Sequence, residues 1–401
     1  MATDVDFWPV GKTASRSLSL GVDEISGHLL ADWVPSFPAS VGPSFIAWPS
    51  FLLESMSFNN RAILTLRVEA GRTERQWKGF LSWMLGVAGA RHVLADEGYR
   101  WVAPLSAFYP GAIQAVDLSA WHTSFPPASL IATPLPGSRS RLRPDYVALK
   151  STAAVGSGIA YEWAIAEAKG TRAALSSKNA CPTGWSSQVR NVVLALNGAV
   201  LAVPRHLVIA TRVNPNASRP LTRRIQVRAW NRSHPPEHPL LDAEGAIDIV
   251  SAHLFGLFRG LGLRENALAI ALAVQGRSRA KGRTLIAPTE DAVAAASDRA
   301  DGELFERTRR SGRHAQAVNM EPLSLETELG LIEVDIAEPV FKLARYLATA
   351  ESDAAAVAVL KDVDSRLDAW QSLRRERGGE DGTVALPFGV ELRLPREFER
   401  R

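Results

Sequence analysis

Three apolar runs and one amphipathic stretch, in a fixed order, constrain the fold more than any other feature of this sequence. DYVAL at 145–149, YEWAIAEAK at 161–169 and RHLVIAT at 205–211 have the length and composition of strands. WSSQVRNVVLALNGAV at 185–200 has apolar residues at helical spacing. The order strand, strand, helix, strand predicts a crossover helix packed on a sheet, and so a buried βαβ unit.

The helix predicted at 185–200 has one apolar face. Its members are Trp185, Val189, Val192, Val193, Leu196 and Val200. A second amphipathic helix is predicted upstream, because Thr73 and Gln76 have capping-box spacing and apolar residues follow at intervals of three and four. This helix should end between Gly86 and Glu97, and a strand is predicted before it, at about 60–69.

Composition and periodicity divide the 401-residue chain into three parts. Residues 1–71 are rich in Pro, Ser and Trp with weak periodicity, which predicts an irregular N-terminal lobe. Residues 72–235 form the predicted core, with a proline-rich, loop-like insertion at 102–138. Residues 236–401 have mostly helical periodicity and a last strand-like run, TVALPFGVELRL, which predicts a mainly helical C-terminal lobe with a terminal strand.

Charge and cysteine content narrow the class of protein. The net charge of +4 and the pI near 9.3 are compatible with a nucleic-acid partner but are weak support alone. Cys181 is the only cysteine, which excludes an intramolecular disulfide and fits a reducing cytoplasm. The N-terminus lacks the apolar run of a secretion signal and no stretch is long and apolar enough for a membrane helix, so we expect a cytoplasmic protein without a membrane partner.

Two motifs lie within the predicted strands. RPDYVAL contains Pro144 and Asp145, and AIAEAKG contains Glu167, Ala168 and Lys169, 22 positions after the aspartate. Together they resemble the motif of the PD-(D/E)XK nuclease superfamily. The resemblance covers roughly residues 72 to 211 and includes the family's α-β-β-β-α-β order of elements.

The resemblance implies a restriction-endonuclease-like α/β core with a central mixed sheet flanked by helices. It also implies that Asp145 and Glu167 bind Mg²⁺, with Mn²⁺ as an alternative, and that the Ala168 carbonyl adds a ligand. Lys169 would orient the attacking water and stabilise the charge that develops on the phosphate. Such chemistry needs a cation, because a phosphodiester is an anion that resists attack by another anion.

Two further residues are candidates by the same resemblance. Glu74 opens the upstream helix, where many members carry another acid; its other interpretation is a favourable charge at a helix N-terminus. Gln188 lies 19 residues after Lys169, where some branches use a polar residue beside the metal or phosphate; its other interpretation is an exposed position beside Arg190. For Glu167 and Lys169 the alternative is a surface ion pair on an edge strand.

The predicted function is metal-dependent hydrolysis of DNA by an endonuclease in restriction, phage defence or repair. DNA is the expected partner, and a homodimer or a partner ATPase is possible. Two other functions stay open: a non-catalytic scaffold with a nuclease-like fold that binds nucleic acid or a partner, and an RNA-directed nuclease.

Other candidate sites are less convincing on chemical grounds. Three arginine-rich clusters, near residues 139–143, 277–283 and 307–313, could contact phosphate or be solvated loops. His234 and His238 have helical ligand spacing, but the intervening prolines prevent the helix. His253 lies among apolar residues and is expected to be a half-buried helix histidine rather than a catalytic one.

Overall fold

The structure is a computed structural model of the full chain. It describes residues 2–9, 12, 15–21, 24, 25, 27–29, 56–58, 64–66, 75–109, 129–135, 144–152, 160–171, 175, 180–203, 205–212, 225–231, 241–260, 263–280, 320–327, 330–349, 353–376 and 383–393.

The strands are β1 (Ala2–Trp8), β2 (Arg16–Gly21), β3 (Met56–Phe58), β4 (Leu64–Leu66), β5 (Trp101–Pro104), β6 (Leu130–Pro134), β7 (Tyr146–Thr152), β8 (Ala160–Thr171), β9 (Val192–Leu196), β10 (Ala199–Val200), β11 (Arg205–Arg212), β12 (Gln226–Asn231), β13 (Met320–Thr327), β14 (Gly330–Ala337), β15 (Thr383–Leu386) and β16 (Val390–Arg393). The helices are α1 (Arg75–Asp96), α2 (Thr183–Gln188), α3 (Ala243–Gly260), α4 (Arg264–Ala280), α5 (Glu338–Thr349) and α6 (Asp353–Glu376), with a 3-10 turn at Leu105–Phe108.

A seven-stranded mixed sheet forms the centre of the fold. Its strand order is β2-β1-β12-β11-β8-β7-β5. The pairs β1/β12 and β8/β11 are parallel, and the other neighbours are antiparallel. Helices cover both faces, which confirms the predicted α/β class with a central mixed sheet flanked by helices.

The two faces of β8 have different chemistry because alternate residues of a strand point to opposite sides. Trp163 and Ile165 are buried in a large hydrophobic cluster with α3. Ala164 and Ala166 are buried in a second cluster with α1. Apart from the half-buried Glu162, the strand is therefore buried from Tyr161 to Glu167.

Helix α1 approaches the sheet closely through glycines. A Cβ added to Gly86 would lie 2.6 Å from the backbone nitrogen of Gly170, and one added to Gly170 would overlap the Ser82 carbonyl. A Cβ added to Gly89 would overlap the hydroxyl of Thr211. Close packing of backbone on backbone thus fixes α1 against the ends of β8 and β11.

The crossover helix predicted at 185–200 is wrong beyond its first turn. α2 ends at Gln188, and β9 and β10 form a hairpin whose turn contains Asn197 and Gly198, with φ of 54° and 83°. Asn-Gly favours this two-residue turn, because both positions need a positive φ. Val192, Leu194 and Leu196 are buried by strand alternation, whereas Val200, assigned to the same helix face, is exposed.

The N-terminal segment also differs from the prediction. β1 and β2 extend the central sheet, so the prediction of an irregular lobe is wrong for these residues. In the region 102–138, predicted to be loop-rich, β5 joins the central sheet and β6 pairs with β9 in a three-stranded sheet. The nonlocal partners of these short strands stabilise them, which local sequence patterns do not report.

Among its described residues, the C-terminal part combines four helices with a four-stranded sheet of order β13-β14-β16-β15. The helices and the terminal strand-like run were predicted, whereas the hairpin of β13 and β14 was not. This part shares the large hydrophobic cluster with β5, β7 and β8. Arg100 donates to the buried carboxylate of Asp364 at 3.1 Å, and the Trp101 indole donates to the same oxygen at 3.0 Å, so α6 is attached to the core by apolar and polar contacts.

Within the described part of the chain, every helix is too short or too polar to span a bilayer.

Side chains from both faces meet at β5, the end strand of the described central sheet. His253 of α3 is buried, with Nδ1 3.2 Å from the Val102 nitrogen and 2.9 Å from its carbonyl oxygen. Arg91 of α1 donates to the same carbonyl at 3.0 Å. These contacts occupy an edge that would otherwise be open to another strand. The prediction of a non-catalytic helix histidine agrees with this position, although His253 is fully rather than half buried.

Acid should destabilise the fold partly through His253. Burial, and next the charge of Arg91, lower the pKa of His253 to about 3, so below pH 6.5 the unfolded chain takes up a proton that the folded chain does not. The stabilisation is complete above the unfolded pKa and is lost as pH falls towards 3. His253→Asn should reduce the fall in unfolding free energy between pH 6.5 and 5 by roughly 2 kcal/mol. Urea denaturation across this range measures it, and parallel curves for the two proteins would contradict it.

Candidate active site

The two motif carboxylates meet where β7 begins and β8 approaches its end. Tyr146 lies opposite Ala166 in the antiparallel register, so Asp145, just before β7, comes level with Glu167. The Asp145 N–H donates to the Ala166 carbonyl at 3.1 Å, and the Asp145 carbonyl accepts from Leu105 at 2.8 Å. The backbone on both sides therefore fixes the position of the first carboxylate.

A backbone contact also orients the Asp145 side chain. The Ala168 N–H donates to Asp145 Oδ2 at 2.8 Å. This bond holds one carboxylate oxygen next to β8 and directs the group towards Glu167. In an extended strand the N–H and C=O of one residue point to the same side, so the Ala168 carbonyl is expected on the side of Asp145.

Glu167 is buried, with 1% of its side chain exposed. Its Oε1 forms an ion pair with Lys169, and its Oε2 meets no hydrogen-bond donor among the described residues. Burial, followed by the neighbouring Asp145 carboxylate, raises the pKa of Glu167 to about 9, against the opposing charge of Lys169. A pKa of about 9 keeps Glu167 protonated at neutral pH, so its ionised form needs more positive charge than Lys169 supplies.

Lys169 joins the carboxylates to α2. Its side chain is about a quarter exposed, and Nζ donates to Gln188 Oε1 at 3.0 Å. Gln188 is buried, so the alternative of an exposed polar position is wrong. The ammonium therefore lies between Glu167 and Gln188, at the boundary of the core and solvent.

The short helix α2 is held by a third hydrophobic cluster on the same face of the sheet. Val189 is buried against Val208 and Ala210 of β11, and Trp185 packs beside Trp230 of β12. α2 starts directly after Pro182, because the proline ring disfavours a helical conformation of the residue that precedes it. These contacts fix the end of the helix from which Gln188 reaches the lysine.

The structure thus brings together four of the residues that the sequence singled out: Asp145, Glu167, Lys169 and Gln188. Glu74 lies outside the described residues, as do His234, His238 and the clusters at 139–143 and 307–313. Of the cluster at 277–283, only the backbone of its first residues, within α4, is described.

Glu162 lies on the face of β8 opposite to Glu167, because the two residues are an odd number of positions apart in the strand. It accepts from Tyr99 at 2.9 Å and pairs with Lys150 at 3.1 Å, on the face of α1 and near the other end of the sheet. Lys150 and Arg205 favour its charged form and, with the Tyr99 hydrogen bond, hold the pKa of Glu162 below its usual value against the opposing effect of burial. Glu162 is therefore a satisfied structural acid, unlike Glu167.

Sequence reasoning missed β12 and its side chains next to the site. Arg228 and Trp230 lie on the face that carries Glu167, through the register of β12 with β11 and of β11 with β8. Alternation in QVRAWN at 226–231 was the available signal. This run is only six residues long and lies between less regular segments, so its alternation is a weak signal for a strand.

The site offers two acidic groups to a cation. Among the described residues, no cluster of three or more His, Cys, Asp or Glu side chains is arranged to hold a metal. Asp145 and Glu167 are a pair, so a metal here would need main-chain oxygen, water or substrate oxygen as further ligands, as Mg²⁺ sites often use.

No family model matches the sequence, no curated protein matches it significantly, and no solved structure matches it significantly.

Asp145→Asn tests whether Asp145 disfavours the ionised form of Glu167 in the metal-free protein. The Asn carbonyl can keep the Ala168 bond while its amide donates to Glu167, so we expect an increase of about 1 kcal/mol in the unfolding free energy. Urea denaturation in EDTA measures it. Asp362→Asn, at an exposed helix pair, is the control and should change stability by less than about 0.5 kcal/mol. A clear loss of stability in Asp145→Asn would contradict an unfavourable effect of Asp145 on Glu167.

Proposed function

We propose that this protein is a metal-dependent endonuclease that hydrolyses phosphodiester bonds of DNA and resembles the PD-(D/E)XK superfamily. The observation that carries the proposal is the meeting of Asp145 and the buried Glu167 beside Lys169, with Glu167 Oε2 lacking a donor among the described residues. A bound cation would satisfy that oxygen and offset the repulsion between the acids.

The topology around the site supports the proposal. α1, β5, β7, β8, α2 and β11 follow one another as α-β-β-β-α-β, apart from the β6 and β9–β10 insertions. In the sheet, β5, β7 and β8 are successive antiparallel neighbours, and β11 is parallel to β8. The same order of elements is expected of a restriction-endonuclease-like core, and the two motif halves lie at adjacent strand ends, which supports the proposal.

The residues present fit a hard divalent cation. Asp145 and Glu167 would hold Mg²⁺, or Mn²⁺, with the Ala168 carbonyl as a further oxygen ligand and Glu74 as a candidate outside the described residues. When bound, the metal neutralises phosphate charge and lowers the pKa of water. The buried Glu167 must lose its proton for this, so Lys169 helps by favouring the charged form.

Lys169 has the position and contacts for a direct role. Its ammonium is partly exposed and is held from two sides, by Glu167 and by Gln188. From there it can donate to a phosphate oxygen or to the attacking water, and its charge stabilises the more negative transition state. Gln188 is a positioning residue in this scheme, because it acts through the lysine.

The biological setting follows from the proposed chemistry only in general terms. Restriction, phage defence and repair are the processes in which such nucleases commonly act, and a homodimer or a partner ATPase would fit a double-strand cut. The net charge of +4 is compatible with DNA.

Cleavage of supercoiled plasmid tests the proposal. Activity is expected with Mg²⁺ or Mn²⁺ and none with EDTA, and Lys169→Ala should lower the rate at least about 100-fold. Lys342→Ala, at an exposed helix pair, is the matched control and should keep the wild-type rate. Asp145→Asn, expected to fold well, gives a second inactive variant.

Two results would favour other functions. Absence of cleavage of varied DNA in every metal, with folded protein that still binds nucleic acid, would favour the non-catalytic scaffold. Cleavage of RNA with intact DNA would favour the RNA-directed nuclease. Thermal melts of each variant distinguish loss of chemistry from loss of fold.

A further inference from the structure

The face of the central sheet that carries the carboxylates continues in register across two more strands. Glu167 of β8 lies opposite Val208 of β11, which lies opposite Trp230 of β12. Neighbouring strands are about 4.8 Å apart, so this tryptophan lies on the order of 10 Å from the buried acid, on the same side of the sheet.

Basic side chains follow on the same face of the sheet, towards the C-terminal end of β8. Lys169 of β8 lies opposite Ala210 of β11, which lies opposite Arg228 of β12. Arg212 lies two residues further along β11, on the same face. Arg228 is buried over the ring of Trp230, at 5.0 Å from the centroid. Arg212 is half-buried and donates to Gln226 at 3.1 Å. Positive charge thus extends from the catalytic amine across β11 and β12.

The Trp185 side chain lies beside these basic residues, next to Trp230. Trp185 is half-buried and lies one helical turn before Gln188, so the two side chains share a face of α2. Its ring meets that of Trp230 at 6.3 Å and 65°. The two indoles are not stacked on each other, so Trp185 is not covered by a parallel ring of its neighbour.

We propose that the strip formed by Lys169, Trp185, Arg212 and Arg228 binds an unpaired DNA strand, with one base stacked on Trp185 and phosphates towards Lys169 and Arg212. The inference rests on the proposed function for its assignment of Asp145 and Glu167 as the reacting end. Aromatic rings beside a cationic track are the features that bind single strands, because a base exposes its face only when it leaves the duplex. The preferred substrate is thus a single strand, or a junction with unpaired nucleotides.

Binding can be measured apart from cleavage in the Asp145→Asn background with EDTA. Fluorescence anisotropy would compare a labelled single strand of about 15 nucleotides with the duplex of the same sequence. The single strand should bind more tightly than the duplex. Adding Trp185→Ala should weaken single-strand binding by roughly five- to a hundredfold and leave duplex binding nearly unchanged. Trp185→Phe, which keeps an aromatic face, should restore most of the affinity.

Controls separate the strip from general effects. Trp83 of α1 is an exposed tryptophan on a helix packed against the other face of the sheet, and Trp83→Ala should not change binding. Arg212→Ala should reduce the salt dependence of log K by about one unit of slope, whereas Lys361→Ala, an exposed charge on α6, should not.

Each outcome decides one proposal. Equal affinity for duplex and single strand, or full affinity in both Trp185 variants, would overturn the strand preference even if the wild-type protein cleaves DNA. Conversely, loss of binding in Trp185→Ala with rescue by Trp185→Phe would support the strip even if no metal produced cleavage, in which case the nuclease proposal alone would fail.

Discussion

The proposed site depends on the burial of Glu167 beside Asp145. Removing a carboxylate from water is unfavourable unless hydrogen bonds or opposite charge replace the solvent. Lys169 supplies part of that compensation at Oε1, but a second acid lies close by and Oε2 has no donor among the described residues. Near the other end of β8, the burial of Glu162 is compensated by an ion pair with Lys150 and a hydrogen bond from Tyr99. The two glutamates on one strand thus differ: Glu162 is satisfied by its partners, whereas Glu167 has an oxygen without a donor among the described residues.

The surrounding fold explains how such an unfavourable arrangement persists. Strand β8 is paired on both sides, and α1 contacts its end through Gly86 and Gly170 without intervening side chains. Little room therefore remains for the strand to move and relieve repulsion between the acids. The C-terminal helices extend the same hydrophobic core, and Asp364 attaches them to β5 through Arg100 and Trp101. Stability supplied by these distant contacts offsets the cost of burying Glu167 beside Asp145.

Local chemistry determined what the sequence could predict. The motif strands at Asp145 and Glu167 were predictable, because continuous apolar runs identify buried strands and the motif states which acids to compare. The helix prediction at 185–200 was wrong because a helical period also fits a short alternating strand. Asn197 and Gly198 are the signal in this segment that favours a hairpin. β1 and β12 were missed for another reason. They pair with each other across more than 200 residues of sequence, and no local pattern reports such a partner.

The alternating pattern of β8 connects the fold to the proposed chemistry. In AIAEAK the alanines face α1, and their small size, with Gly170 just beyond, permits the close approach of that helix. The intervening residues face the other way, where Ile165 belongs to the core and Glu167 and Lys169 mark its end. A larger residue at the alanine positions would push α1 away and loosen the strand that holds the glutamate. The short side chains on one face are thus as necessary to the site as the charged ones on the other, because they determine how rigidly the carboxylates are presented.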